Sequence, residues 1–475
     1  MELPAEDRIR FHPMSAPASP TPRPIGLGRL VMLLLFIVSG GGAYGLEDLI
    51  GQAGPGAALA LLVVTPLVWC LPTALMVAEL SAALPGEGGY YLWVKRGLSP
   101  FWGFQEAWWS WINSWVDMTI YPVLAVSYAT MLLEQRFGMN ALPQGSAVRW
   151  LTTLAVIWLF AWWNLRGAGA VGASSVAFGA FTLAPFALLS AAGVAAWLHH
   201  PAPFWQPWRP PEGSAGGAAA GSLAVGLCTA MFNYQGWDNA APFAGEIRDP
   251  QRTYPRALAL AIPLVVLAYL LPVIAGLTAI PDSRQWRTGS FPRAAAILGG
   301  AEWGPALADW LAAGGIVAAA GTFNALLLAM SRLPAVLAKE GFLPAALARK
   351  NPRTGAPTAS VLLCAAIYSL YACLPFTTLV VVDVFLYAAG LLLEFLALIA
   401  LRLREPDLPR PFRIPGGWPM LIFVCAAPAT LLALAIALSI QENGVGAVWL
   451  SAAALASGPL IYPLLKDRFT ASSAP

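Results

Sequence analysis

Charge is what this chain has least of. Asp, Glu, Lys and Arg make up 11% of its 475 residues and the mean hydropathy is +0.66, whereas a soluble domain draws on about 25% charged residues to cover its surface. That deficit excludes a soluble globule. Cysteine is scarce too: Cys70, Cys228, Cys364, Cys373 and Cys425 all fall within apolar runs. No CxxC pair suggests a metal site, and no loop thiol is expected to hold a disulfide-linked ancillary subunit. Of three histidines, His12 sits in a polar N-terminal stretch, and His199 and His200 are adjacent at the end of an apolar run. With no HExxH, no GxSxG and no clustered histidines, an enzyme is not indicated, and neither a metal nor a cofactor is expected. Gly40, Gly42 and Gly45 match GxGxxG, but no dinucleotide fold surrounds them. The net charge of +3 is spread over many short loops, which speaks for membrane topology and not for nucleic acid.

What the chain does have is apolar runs of the length a bilayer demands, roughly 20 residues. Twelve of them are centred near residues 40, 70, 117, 157, 184, 233, 266, 320, 365, 390, 428 and 455. They predict an all-α integral membrane protein with twelve transmembrane helices. If the Pro-rich N-terminal stretch is placed inside, 21 of the 27 Lys and Arg residues fall on the inner side. This bias predicts a multi-pass protein of the cell membrane with both termini cytoplasmic.

Two of these runs are interrupted. VSGGGAYGLEDLIGQAGPG (38–56) dissolves into glycines near the middle of the first, and GLCTAMFNYQGWDNAAPFAGE (226–246) breaks at Asn233 to Gly236 in the sixth. A membrane helix can open its backbone only toward protein or a water-filled cavity. Two breaks with four intact spans between them point to an inverted-repeat transporter whose half-helices meet at mid-membrane. The expected fold is therefore a five-plus-five inverted repeat of the LeuT type with helices 1 and 6 interrupted. Residues 25–402 form the core in halves 25–200 and 218–402, after a disordered cytoplasmic tail (1–24). Two further helices (403–468) and a short cytoplasmic tail (469–475) follow. Substrate is expected between Gly40, Gly41 and Gly42 on one side and Tyr234, Gln235, Gly236, Trp237 and Asp238 on the other.

An ionisable side chain deep in a membrane is a functional candidate by default. On the third span, Glu106, Ser110, Asn113, Asp117 and Tyr121 recur every three or four residues, which places them on one helix face. Asp383, Tyr387, Gly390 and Glu394 do the same on the tenth. Asp117 and Asp238, nearest the breaks, are the candidates for substrate or proton chemistry. Glu47 and Asp48 fit either a gate or simple exposure to water. Glu79 and Glu246 are expected to pair with loop arginines, Glu106 to be structural, and Asp383 and Glu394 to serve either purpose. Tyr234 and Trp237 flank a break, where they either cap a ligand or pack. Most of the 20 tryptophans, Trp102, Trp108, Trp162, Trp163 and Trp205 among them, fit interfacial belts and lipid contacts. Thr253 is read as the cap of the seventh span, with Pro255 in its first turn.

Three separated stretches resemble the amino acid, polyamine and organocation (APC) transporter superfamily: AELSAALPGEGGYYLWVKRGLSPFWGFQEAW (78–108), AGEIRDPQRTYPRAL (244–258) and SRLPAVLAKEGFLPAALARKNPRTGAPTASV (331–361). Within it, GLEDLIGQAGP, WINSWVDMTIYPVL and FNYQGWDNAAPFAGE resemble the polyamine uptake branch of plants and protozoan parasites. The resemblance implies a secondary active transporter that works by alternating access in the lipid bilayer. A bundle of spans 1, 2, 6 and 7 would move against a scaffold of spans 3, 4, 8 and 9. It implies a small-molecule substrate, with a polyamine or basic amino acid favoured by Asp117 and Asp238, and a neutral or broad-specificity amino acid permease as the alternative. It also implies a coupling ion. Residues 170–198 contain no Lys or Arg in place of the span-five lysine of some bacterial relatives, so proton-titrating acids are the natural choice, with sodium open through Thr322 and Asn324. Glu47, Asp48, Asn113, Thr322, Asn324 and Asp383 are the coupling or gate candidates.

Overall fold

The computed structural model describes residues 26–39, 43–84, 89–138, 146–166, 175–199, 217–238, 249–339, 341–352, 354–443 and 446–472. Among these residues all regular structure is helical. The first apolar run is split into α1 (Leu27–Ser39) and α2 (Glu47–Ala53). The second is α3 (Pro55–Thr65), which passes through a π turn at Pro66–Cys70 into α4 (Leu71–Ala83). There follow α5 (Gly89–Gly97), α6 (Pro100–Phe137), α7 (Ala147–Asn164), α8 (Ser175–His199), α9 (Gly217–Asn233), α10 (Pro250–Ala279) and α11 (Ser290–Met330). The chain ends with α12 (Arg332–Lys339), α13 (Thr358–Tyr371), α14 (Phe376–Arg404), α15 (Gly417–Asn443) and α16 (Gly446–Ser472).

The first two apolar runs are each divided between two helices and each of the others overlaps one helix of the described residues, yet length sorts them unequally. Among the described residues, seven helices are long and apolar enough to cross a membrane and three shorter ones are apolar. This is fewer than the twelve expected. Interruption explains part of the shortfall: α1 has 13 residues, about 20 Å of helix against about 30 Å of hydrocarbon.

α11 is kinked at Gly300, whose backbone is not helical, so α6 is the longest uninterrupted element, and local chemistry sets its bounds. At the start of α6 the Ser99 hydroxyl accepts from the Trp102 amide at 3.4 Å and Pro100 occupies the first turn, where its missing N–H is no loss. Gly138 ends the helix at φ 61°, a left-handed cap that suits glycine. The start of α10 differs from the sequence reading. The helix begins at Pro250, and the amides of Arg252 and Thr253 bond to the Asp249 carbonyl. Thr253 is therefore inside the first turn and is not the cap. The cysteine reading also needs correction. Pro375 separates α13 from α14, so Cys373 lies in a connection and is exposed, and a loop thiol is present after all. The apolar run was continuous in composition but not in backbone. Trp108 is likewise no belt residue, being buried with its indole N–H donating to Ser457 Oγ at 2.9 Å.

Among the described residues the buried apolar side chains form four clusters of unequal size. Met118 of α6, Ile157 and Ala161 of α7, Phe323 and Leu327 of α11, and Val361, Cys364 and Tyr368 of α13 form one closed apolar cluster. The largest unites residues of α1 to α4 with α8, α9 and α10 and also with residues of α6, α11, α14 and α15; within it α1 packs on α10 and α2 on α9. α14 runs antiparallel to α6 and contacts it along its length, reaching α5 with its last turn through Arg404 to the Gly97 carbonyl, 2.9 Å.

Small residues set the spacing elsewhere. A Cβ on Gly193 of α8 would sit 2.5 Å from the Ala275 Cα of α10, and backbone cannot yield as a flexible side chain does. Gly193→Ala is expected to force these helices apart at a cost of about 1–3 kcal/mol, seen as a lower melting temperature of the detergent-solubilised protein. An unchanged melting temperature would mean that the α8–α10 distance is set elsewhere.

Candidate functional site

The break after α9 begins where the sequence stops favouring helix. Asn233 turns its side-chain amide back to the Thr229 carbonyl, 2.8 Å, and Gly236 adopts φ 92°, a conformation that glycine alone adopts without strain. The backbone groups freed here are not left bare. The Gly236 amide donates to the Tyr387 hydroxyl at 3.0 Å. Tyr269 of α10 shares its hydroxyl proton between the carbonyls of Val38, at the end of α1, and Asn233, at the end of α9, at 3.2 and 2.9 Å. One tyrosine thus satisfies orphan acceptors of both interrupted helices, as an apolar surround requires.

Beside these helix ends lies a cavity. Val38, Tyr44, Phe232, Asn233, Gln235, Gly236 and Asp238 wall it on one side, and the full stripe of α6, namely Glu106, Ser110, Asn113, Asp117 and Tyr121, walls it on another. Tyr387, Gly390 and Glu394 of α14, Thr322 of α11 and Tyr90 of α5 complete the lining. Among the described lining residues four are carboxylic acids and none is Lys, Arg or His. The Tyr121 hydroxyl bonds Asp117, Tyr387 donates to Asp238 Oδ1 at 2.5 Å, and Ser110 donates to Glu106 Oε1 at 3.0 Å. Asp383 stands just behind the wall, where its Oδ2 accepts from Gln235 Nε2 at 2.5 Å and the Asn113 side chain faces it.

Beyond Tyr44, at the α2 end, Glu47 is fully buried, so simple exposure to water does not hold for it. Its carboxylate accepts from the Tyr128 hydroxyl at 2.8 and 2.9 Å, from the Gly45 amide at 3.0 Å and from the Gly289 amide at 3.3 Å. Asp48 accepts from Thr288 Oγ1 at 3.2 Å. The two acids thereby tie α2 to α6 and to the segment before α11.

Several expected site residues fall elsewhere. Gly40, Gly41 and Gly42 lie outside the described residues. Tyr234 and Trp237 do not line the cavity: the Tyr234 hydroxyl donates to the Leu62 carbonyl and Trp237 Nε1 to the Tyr234 carbonyl, each at 2.9 Å. Both rings are fully buried as packing, because the turn after α9 directs them toward α3 and α10. Thr322 faces the cavity, whereas Asn324 accepts from Asn164 of α7 at 2.8 Å. Residues two apart on a helix point about 200° apart, so the two side chains lie on different faces of α11. Glu106, read as structural, is on the cavity wall. Glu79 does pair with arginine as expected, but its closer partner, Arg402, belongs to the last turn of α14.

Comparison with known proteins agrees with the resemblance read from the motifs. The family model for amino acid permeases matches residues 30–457. Over 464 residues the chain is 34% identical to polyamine transporter PUT1 of Oryza sativa subsp. japonica, covering 95% of this chain and 80% of that one. It is 31% identical over 443 residues to polyamine transporter RMV1 of Arabidopsis thaliana, covering 92% and 84%. A protein of Legionella pneumophila named as an uncharacterized transporter is 27% identical over 372 residues, covering 74% and 76%.

Proposed function

This chain belongs to the amino acid permease family, and from that premise we propose that it is a secondary active transporter carrying an organic cation, a polyamine or basic amino acid, across the cell membrane. The observation that carries the reading is the cavity beside the two helix ends, walled by Glu106, Asp117, Asp238 and Glu394 with no basic lining residue among the described residues. Buried carboxylates without a cationic partner are costly, and an ammonium group supplies that partner. A substrate carboxylate would meet repulsion in the same place. The names of PUT1 and RMV1 support the same class of cargo.

In this reading Asp117 and Asp238 hold the ammonium, while Gln235, Gly236, Asn113 and Thr322 orient the rest of the cargo. The twelve-span arrangement, with a five-plus-five repeat and both termini cytoplasmic, is part of the proposal. In this reading alternating access moves α1 to α4 with α9 and α10, where α1 packs on α10 and α2 on α9, as one bundle against α6, α7, α11 and α13. Glu47 and Asp48, bonded across α2, α6 and the segment before α11, close the α2 end. Ligand and coupling ion drive the cycle by binding closed states better than open ones, and acids without basic neighbours among the described lining residues favour the proton as that ion.

Purified protein in proteoliposomes is expected to accumulate putrescine, spermidine or arginine under an imposed proton gradient and to discriminate against leucine. Leucine uptake equal to that of the amines, or uptake driven by sodium alone, would overturn the cationic or the proton part respectively.

A further inference from the structure

On the footing of that cationic reading, we propose that Glu106 and Glu394 form a second ammonium subsite, and that with Asp117 and Asp238 it makes the cavity rank linear polyamines by length. The geometry begins with a spacing. Glu106 and Asp117 are eleven residues apart on α6, and Asp383 and Glu394 are eleven apart on α14. Eleven residues make three turns and return to nearly the same face, about 16 Å along the axis. Because the two helices run antiparallel, the acids meet in two rungs, Asp117 near Asp383 and Glu106 near Glu394, and each rung is close enough to interact electrostatically. Asp238 lines the same cavity, interacts electrostatically with Asp117, Glu106 and Glu394 alike, and accepts from the Tyr387 hydroxyl.

The Glu106–Glu394 rung is built and not incidental. Gly390, one turn from Glu394, leaves room for the Glu106 carboxylate: a Cβ there would lie 3.1 Å from Oε1. Both acids line the cavity at 1% and 2% exposure, and Glu106 Oε2 and Glu394 Oε2 have no hydrogen-bond partner among the described residues. Two other buried glutamates are fully partnered, Glu79 by two arginines and a backbone amide and Glu47 by the Tyr128 hydroxyl and two amides. At Glu106 and Glu394 the described residues supply neither a cation nor a donor to either Oε2, so the neutralising charge is left to the cargo.

Reach then decides which cargo uses both rungs. An extended chain advances about 1.2 Å per covalent bond, so a diamine with five bonds between its nitrogens spans about 6 Å, a triamine with nine about 11 Å and a tetraamine with thirteen about 16 Å. A short diamine engages one rung and at best Asp238. Only the longer amines extend to Glu106 and Glu394.

The test is equilibrium binding of putrescine, spermidine and spermine to the full chain in nanodiscs, for the wild type and for Glu106→Gln, Glu394→Gln and the double variant. In the wild type, affinity is expected to rise with length. The spermine-to-putrescine affinity ratio is expected to fall at least tenfold in either single variant, with little further fall in the double variant, since both acids serve one ammonium. A ratio within twofold of wild type in folded variants overturns the proposal, including the outcome in which only the pH dependence of uptake moves, which would assign the pair to protons. Should Glu106→Gln not fold, Glu394→Gln and Glu106→Asp, which keeps the charge but withdraws it by one methylene, carry the same ratio test. A wild type that binds leucine and no amine is a distinct result and removes the cationic reading itself.

Discussion

Asp117→Asn is expected to lower transport of organic cations about 100-fold while leaving the protein folded. The amide has the shape of the carboxylate and still offers an oxygen to the Tyr121 hydroxyl, so the helix face is preserved and only the charge is lost. Asp117 is half-buried and its exposed part faces the cavity, where an ammonium would be largely stripped of water. Truncating one member of such a pair costs about 2–5 kcal/mol, and about 2.8 kcal/mol is a factor of 100. Asp383→Asn should have a smaller effect, because that carboxylate is behind the wall and already held by Gln235. The measurement is initial uptake of a labelled amine into proteoliposomes, normalised to protein, beside a melting curve that matches wild type. A loss of less than threefold would remove Asp117 from contact with the cargo.

The stripe on α6 was legible because it rests on helix periodicity alone: five polar residues at three- and four-residue spacing share a face whatever the rest of the fold does. The interruption at Asn233 to Gly236 was legible for a related reason, since glycine and asparagine in an apolar run announce a backbone that leaves the helix. Where the chain leaves the helix, however, periodicity stops predicting direction. Tyr234 and Trp237 follow the last turn of α9, and only the path through Gly236 decides that their rings pack away from the cavity. Thr322 and Asn324 were grouped by resemblance although helix geometry sets them on different faces.

Depth was harder to read than direction. Glu106 is the seventh residue of α6, yet it is buried and lines the cavity. α6 has 38 residues, about 57 Å of helix, so distance from its start says little about distance from the bilayer centre. Tyr269 left no local signal at all. It stands in an apolar stretch of α10, and its role exists only because two carbonyls more than 190 residues apart in sequence converge on its hydroxyl.

At the other end of α14, Glu79→Leu is expected to cost about 3–5 kcal/mol, as removal of one partner from a buried ion pair does, and to do more harm than Arg402→Leu. Glu79 accepts from Arg402 Nε at 2.8 Å and from its terminal nitrogen at 2.5 Å, lies 3.5 Å from Arg410 Nε, and takes the Ile414 amide at 2.8 Å. The carboxylate is fully buried and the two guanidinium side chains nearly so. Losing Arg402 leaves the carboxylate with Arg410 and an amide, a weakened but still compensated charge. Losing Glu79 leaves two buried cations facing each other and an orphan N–H, whose desolvation alone costs about 1–3 kcal/mol. Arg410 keeps carbonyl partners at Leu401, Glu405, Pro406 and Leu408, so the burden falls on Arg402. Glu79→Gln, which retains an acceptor for Ile414, should fall between the two leucine variants. Melting temperatures and the monodisperse fraction in detergent read the order directly. If Arg402→Leu proved the more damaging, Arg410 would not be the second partner of Glu79, and the clasp of α4 to α14 would rest on one arginine alone.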